Sequence, residues 1–316
     1  MKGRVILVDD YGEGSIVAAE LADTGLEVEQ VRSCPVGEGI VALLAGPDVP
    51  VGPVELAALP DLRIVAATST GFDHLDLDAI RAAGIYATHV AGYCDEEVAE
   101  HVIAMSCSLL RGLHVLDPVA RQGRWYDYGS FPPRRIAGAR MGIAGFGRIG
   151  REVAVRALAL GFVVSAYDPF ADADAMRAAR VERVVDLTTL AATSDVLTLH
   201  AALSDATREM IGCEVIAAMP PGSFIVNCAR AGLIDHDALG EAIRSGHLGG
   251  AALDVFPVEP PRPDDPVFGW PRTLVTPHAA WYSSEAAKAP YRRAARQALA
   301  VLEGREPDNT LVSPRR

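Results

Sequence analysis

A short apolar strand that runs into Gly145-Phe146-Gly147-Arg148-Ile149-Gly150 and then into an apolar helix is the feature that most restricts the folds open to this chain. Strand, G-x-G-x-x-G turn and helix together predict the first βαβ unit of a doubly wound parallel sheet that binds a dinucleotide. Gly145 permits the tight turn, Gly147 lets the backbone approach a pyrophosphate, and Gly150 lets helix and strand pack closely; Phe146, Arg148 and Ile149 fill the positions between. The pyrophosphate then lies on the positive end of the helix. Asp168 follows Gly150 by 18 residues, at the end of the next predicted strand. A carboxylate there accepts ribose hydroxyls and repels a 2′-phosphate, so the expected cofactor is NAD in preference to NADP. Arg177 and Arg180, read as part of the next helix, weaken that preference only slightly.

The chain has 316 residues, enough for two compact domains. The first ninety read as a small parallel-sheet domain: strands over 4–10, 27–31, 62–67 and 85–90, with helices over 15–24 and 75–83. A long helix is expected from Asp95 to about Arg121, opening on acidic residues that suit a positive helix end. Residues 123–133, with Trp125, Tyr126 and Tyr128, read as a loop. A second series then gives six strands, over 141–144, 163–167, 196–200, 223–227, 250–254 and 274–276, and a last helix covers 284–303 before a polar tail.

Composition narrows the partners. A net charge of −12 disfavours nucleic acid, whose phosphates need a basic surface. The N-terminal apolar run is too short for an export signal, and no stretch approaches the roughly 20 apolar residues of a membrane span. Five cysteines without a C-x-x-C pair argue against a disulfide framework or zinc ribbon and fit a reducing cytoplasm. The histidines show no metal-like spacing, and no metal is expected.

Arg230, Glu259 and His278 each follow a predicted strand of the second series, on the side where open α/β sheets bind ligands.

With these residues and Gly71-Phe72-Asp73-His74-Leu75-Asp76, Val98-Ala99-Glu100-His101 and Gly250–Phe256, the sequence resembles the D-2-hydroxyacid dehydrogenase family over nearly its whole length. The resemblance implies reduction of a 2-oxo acid, which needs a hydride, a proton for the carbonyl oxygen and a cation for the carboxylate. His278 as imidazolium suits the proton, Glu259 would raise its pKa and fix its ring, and Arg230 offers a forked, permanently charged donor. Within the family, Pro277–Ser283 and Glu96-Glu97 look most like the C-terminal-binding-protein branch of dehydrogenase-fold corepressors. The resemblance implies two Rossmann-like α/β domains joined by two crossing helices. One is a discontinuous, flavodoxin-like substrate domain (1–93 plus 283–316) and the other an NAD-binding domain (94–282); the expected assembly is a homodimer. It further implies that Asp254 holds the nicotinamide carboxamide, that His200, Thr207, Cys228 and Ala229 line the cofactor site, and that Ser69, Thr70 and Gly71 meet the substrate carboxylate. The family's first loop glycine is replaced by Ser69. Trp281 is implied in the substrate pocket, which favours a thioether or aromatic 2-oxo acid over glyoxylate. His101 is read as a helix-packing residue. Two alternatives accompany the dehydrogenase reading: an NAD-sensing corepressor, and oxidation of formate or phosphite.

Overall fold

The computed structural model describes residues 2–9, 14–125 and 132–314. The chain divides into two compact units, Met1–Tyr93 with Ser283–Arg316, and Cys94–Tyr282. Each carries its own doubly wound sheet.

In the first unit, β1 (Arg4–Val8), β2 (Glu27–Val31), β3 (Ile40–Ala45), β4 (Ile64–Ala67) and β5 (Tyr86–Thr88) are parallel neighbours in the order β2-β1-β3-β4-β5, with the strand Thr310–Val312 antiparallel on β5. That is the flavodoxin-like order. Val5 to Val8 and Ile64 to Ala67 are buried without alternation, because helices cover both faces of the sheet. One such cover is the helix Ala289–Leu302, whose Tyr291, Ala294, Ala295, Ala298 and Val301 share a core with Val5, Leu7, Leu44 and Ile64. The helix Leu77–Ala83 shows how local chemistry sets the boundaries. The Asp76 carboxylate accepts the Ala79 N–H at its start, and Gly84 ends it at φ 70°.

The second unit contains β6 (Arg140–Ala144), β7 (Val163–Tyr167), β8 (Glu182–Arg183), β9 (Val196–Leu199), β10 (Phe224–Asn227), β11 (Gly250–Leu253) and β12 (Thr273–Val275). Its seven parallel strands run β12-β11-β10-β9-β6-β7-β8. The strand order reverses at β6, between β7 and β9, and a reversal of this kind opens a crevice at the carboxyl ends of the strands.

Several expectations change in detail. β3 was not anticipated, nor was the Thr310–Val312 strand in what read as a polar tail. The second sheet has a seventh strand, the two-residue β8. The single long helix is two: Asp95–Arg111 and Leu113–Arg121, bent by 62° at Gly112, which stands at φ 66° and closes the first on left-handed backbone. The last helix begins at Ala289 rather than Ser284. Arg180 lies beyond the helix Ala173–Ala178, at φ 60°. Asp10, Tyr126 and Tyr128 fall outside the described residues. No single helix among those described is long and apolar enough to cross a membrane.

Candidate active site

The Gly-rich turn joins β6 to the helix Arg148–Ala159. Gly145 has φ 99°, and a Cβ on it would stand 2.7 Å from the Ala201 nitrogen and the His200 carbonyl carbon at the end of β9. A Cβ on Gly150 would meet the Gly145 oxygen at 2.2 Å. Both positions therefore exclude any side chain. At Gly147, by contrast, a Cβ would meet nothing within 4 Å. Open space at a helix start, where first-turn N–H groups lack intrahelical partners, fits a dinucleotide pyrophosphate.

Asp168 lies just after β7. Its Oδ2 accepts the Phe146 N–H at 2.8 Å, and its Oδ1 accepts the N–H groups of Phe170 at 2.8 Å and Ala171 at 3.1 Å. The acid expected to read the ribose thus also braces the Gly-rich turn. Phe146 is buried, Ile149 packs on the core beneath, and Arg148 pairs with Asp95 at 2.7 Å.

Arg230, Glu259 and His278 come together after β10, β11 and β12. Oε2 of Glu259 lies 2.5 Å from Nδ1 of His278, and its Oε1 accepts the Phe256 N–H at 2.8 Å. Burial by itself lowers the His278 pKa, but the hydrogen bond and charge of Glu259, helped by Asp254, outweigh it and the opposing Arg230, so the net shift is upward. For Glu259, burial disfavours the charge, yet His278, the Phe256 N–H and Arg230 hold the carboxyl below the usual range. The guanidinium of Arg230 is close enough to act on both, and one of its arms donates to the Ala229 carbonyl at 2.8 Å.

His278 has φ 51°, a left-handed conformation that costs a non-glycine residue about 1–3 kcal/mol unless its surroundings impose it. Here they do. Its N–H donates to the carbonyl of Asp254 at 2.8 Å, and the buried Asp254 carboxylate accepts the N–H groups of Ala279 and Ala280 at 2.8 and 2.9 Å.

The remaining expected residues fall in varied settings. His200 hydrogen-bonds Thr198 at 3.0 Å, and burial lowers its pKa to about 3, so it is neutral. The Thr207 hydroxyl donates to the Ala202 carbonyl at 2.6 Å within its own turn. Burial and then Asp254 push the Cys228 thiol well up, and Sγ lies 3.7 Å from Met105 Sδ, a setting unsuited to a nucleophile. Trp281 packs edge-to-face on Tyr282, centroids 5.5 Å apart. Ser69, Thr70 and Gly71 follow β4 in the first unit, where the Ser69 hydroxyl donates to the Gly71 carbonyl at 2.6 Å and that of Thr70 to Val90 at 3.0 Å.

Sequence reasoning assigned no role to Asn227 or Thr276. Asn227 Oδ1 accepts the Ala229 N–H at 3.0 Å and its amide donates to the Arg230 carbonyl at 2.9 Å, which shapes the turn carrying Arg230. An asparagine closing a buried strand was the available signal. No group of three or more His, Cys, Asp or Glu among the described residues is arranged to hold a metal ion.

Comparison with known proteins agrees with this geometry. Residues 103–280 match the model of the D-isomer specific 2-hydroxyacid dehydrogenase NAD binding domain, more than half of the chain. The chain belongs to the D-isomer specific 2-hydroxyacid dehydrogenase family. It is 38% identical to the (S)-sulfolactate dehydrogenase of Chromohalobacter salexigens over 83% of this chain and 85% of that one. It is 36% identical to the glycerate dehydrogenase of Methylorubrum extorquens over 82% and 84%. Among solved structures, an NADPH-dependent glyoxylate/hydroxypyruvate reductase from Sinorhizobium meliloti superposes with a TM-score of 0.88 at 25% identity, covering 100% of this chain and 99% of that one. As a member of the family, the protein is an oxidoreductase of CH–OH groups that reduces 2-oxo acids with a nicotinamide cofactor. These relatives are two dehydrogenases and a reductase.

Proposed function

We propose that this 2-hydroxyacid dehydrogenase prefers NAD(H), with Arg230 holding the substrate carboxylate, His278 exchanging the proton of the carbonyl oxygen and Glu259 keeping His278 charged and oriented. The observation that carries the reading is the 2.5 Å contact between Glu259 and His278 with Arg230 beside both. The dinucleotide supplies the hydride when bound. In reduction, His278 donates its Nε2 proton to the forming alkoxide, because Nδ1 is held by Glu259. In oxidation the neutral ring takes that proton back. Arg230 binds carboxylate and carbonyl oxygen through its two arms and polarises the carbonyl.

Gly147 and the first turn of the helix Arg148–Ala159 would hold the pyrophosphate, and Asp168 the adenosine ribose. A carboxylate at that point repels a 2′-phosphate, which supports NAD even though the Sinorhizobium reductase is NADPH-dependent. Asp254 is proposed beside the nicotinamide carboxamide, along with His200, Thr207, Cys228 and Ala229. Trp281 is proposed as a pocket wall, and Ser69, Thr70 and Gly71 as substrate contacts on the resemblance alone. Residues 1–93 with 283–316 are assigned as the substrate domain and 94–282 as the dinucleotide domain. A homodimer in a reducing cytoplasm completes the reading, the latter supported by five cysteines without a C-x-x-C pair. The narrower likeness to the corepressor branch rests on Pro277–Ser283 and Glu96-Glu97, and an intact Arg-Glu-His set favours the enzyme.

The test is loss of NADH absorbance with 2-oxo acids from glyoxylate through hydroxypyruvate and sulfopyruvate to phenylpyruvate, with NADPH in parallel and Arg230→Ala as control. Turnover with NADH that falls about 100-fold or more in the control supports the reading. Tight NADH binding without turnover of any acid would move the assignment to a sensor or to formate or phosphite oxidation.

A further inference from the structure

Behind the Glu259–His278 pair runs a hydrogen-bonded chain of which the proposed function uses only Asp254. Oδ1 of Asp254 accepts the Thr276 hydroxyl at 2.5 Å as well as the Ala279 N–H, and Oδ2 accepts the Ala280 N–H. A threonine hydroxyl has one hydrogen, and here it is spent on Asp254. Its oxygen must therefore accept from Nε2 of His101, 3.1 Å away on the helix Asp95–Arg111. Nε2 therefore carries the hydrogen of this contact.

The direction of this chain matters for His278. Asp254 holds the backbone on both sides of it: its carbonyl accepts the His278 N–H, and its carboxylate accepts the next two N–H groups. With the Nε2–H of His101 removed, the Thr276 oxygen loses the donor that polarises its hydroxyl, and the bond from that hydroxyl to Asp254 weakens. The buried carboxylate is then held less firmly by its shortest donor.

We propose that His101 is a positioning residue which, through Thr276 and Asp254, holds His278 in its left-handed backbone conformation and so on Glu259. The inference rests on His278 being the proton donor of the reaction. Charged groups facing His278 are Glu259, Arg230 and Asp254, so slackening of its loop weakens the two carboxylate interactions that raise its pKa.

The test compares His101→Phe, which removes the donor, with His101→Gln, which keeps an N–H at a similar reach. In NADH oxidation with the best acid of the panel, His101→Phe is expected to lower kcat about five- to tenfold. KM for the acid should stay within about twofold, because in this scheme the acid touches none of His101, Thr276 and Asp254. The alkaline limb of the kcat profile should move to lower pH, as should the His278 titration followed by NMR of 15N-histidine-labelled protein. His101→Gln should recover most of both. Should His101→Phe fold poorly, Thr276→Val against Thr276→Ser makes the same comparison one residue along the chain. Wild-type kcat and wild-type His278 titration in His101→Phe or Thr276→Val would overturn the inference. So would equal loss in the Phe and Gln variants with lowered melting temperature and an unmoved titration, which is the signature of packing alone. If the wild type reduces no acid, the reading of the site fails separately, and the NMR titration still decides whether His101 sets the state of His278.

Discussion

The N–H of Phe146, inside the Gly-rich turn, donates to Oδ2 of Asp168 at the end of the neighbouring strand across 2.8 Å. One carboxylate therefore shapes the pyrophosphate turn and stands where the adenosine ribose is expected. Substitution should be felt twice. Asp168→Ala is expected to lower kcat/KM for NADH about 10- to 100-fold, the worth of charged hydrogen bonds, and to narrow the NADH-to-NADPH ratio. Steady-state kinetics with both cofactors checks this; an unchanged ratio would remove Asp168 from ribose recognition.

His278→Gln should reduce kcat by about 100- to 10,000-fold, the range of a positioned acid or base, while NADH still binds. Stopped-flow turnover paired with a fluorescence titration of NADH separates the two. A loss of NADH binding equal to the loss of rate would instead point to a disrupted loop.

The pH dependence follows from the opposite shifts of the pair. Because the folded His278 pKa is raised above its ordinary 6.5, its stabilisation is full below that value and is lost as pH rises through the folded pKa. The Glu259 pKa is lowered below 4.5, so its contribution is present above that value and is lost as pH falls through the folded pKa. Reduction should decline on the alkaline side as His278 deprotonates, and oxidation should rise over the same interval. In Glu259→Gln the alkaline limb should move toward acid, with kcat near neutrality down roughly 10- to 100-fold. Profiles of kcat in both directions provide the measurement, and a limb that stays in place would dissociate Glu259 from the His278 proton.

At Gly150, a methyl group has no room beside the Gly145 carbonyl oxygen at 2.2 Å. Gly150→Ala should cost about 1–3 kcal/mol of stability as helix and strand move apart. NADH affinity should fall with it, since the turn moves too. Thermal melts with and without NADH read both effects.

Legibility in the sequence varied with the distance over which each signal acts. β1, β4 and β10 announce themselves as continuous apolar runs, since both faces are covered, and Asp76 and Gly84 mark the two ends of the helix between them. The Gly112 break was hidden because Leu109, Leu110, Leu113 and Leu116 continue the apolar pattern across it, so that only the left-handed backbone separates the two helices. β8 escaped because both its residues are exposed and its pairing with β7 is all that makes it a strand. The Arg-Glu-His set could be found from spacing after strands. The His101–Thr276 contact joins residues 175 apart and leaves no local trace, so its members looked like packing and strand residues. Asn227 was overlooked for the opposite reason: its bonds are local, and its neighbour Arg230 drew the functional reading.

The antiparallel strand Thr310–Val312, seated on β5, gives the two units unlike histories on the ribosome. Every strand of the unit Cys94–Tyr282 is available once that continuous stretch has emerged, so it can fold during synthesis. The first unit has β1 to β5 early but must wait for the helix Ala289–Leu302 and for residue 312 before its sheet edge and one of its faces are covered. Until then Val5, Leu7, Leu44 and Ile64 lack the helix that shields them. The unit whose strands begin the chain is thus the one whose fold is completed last.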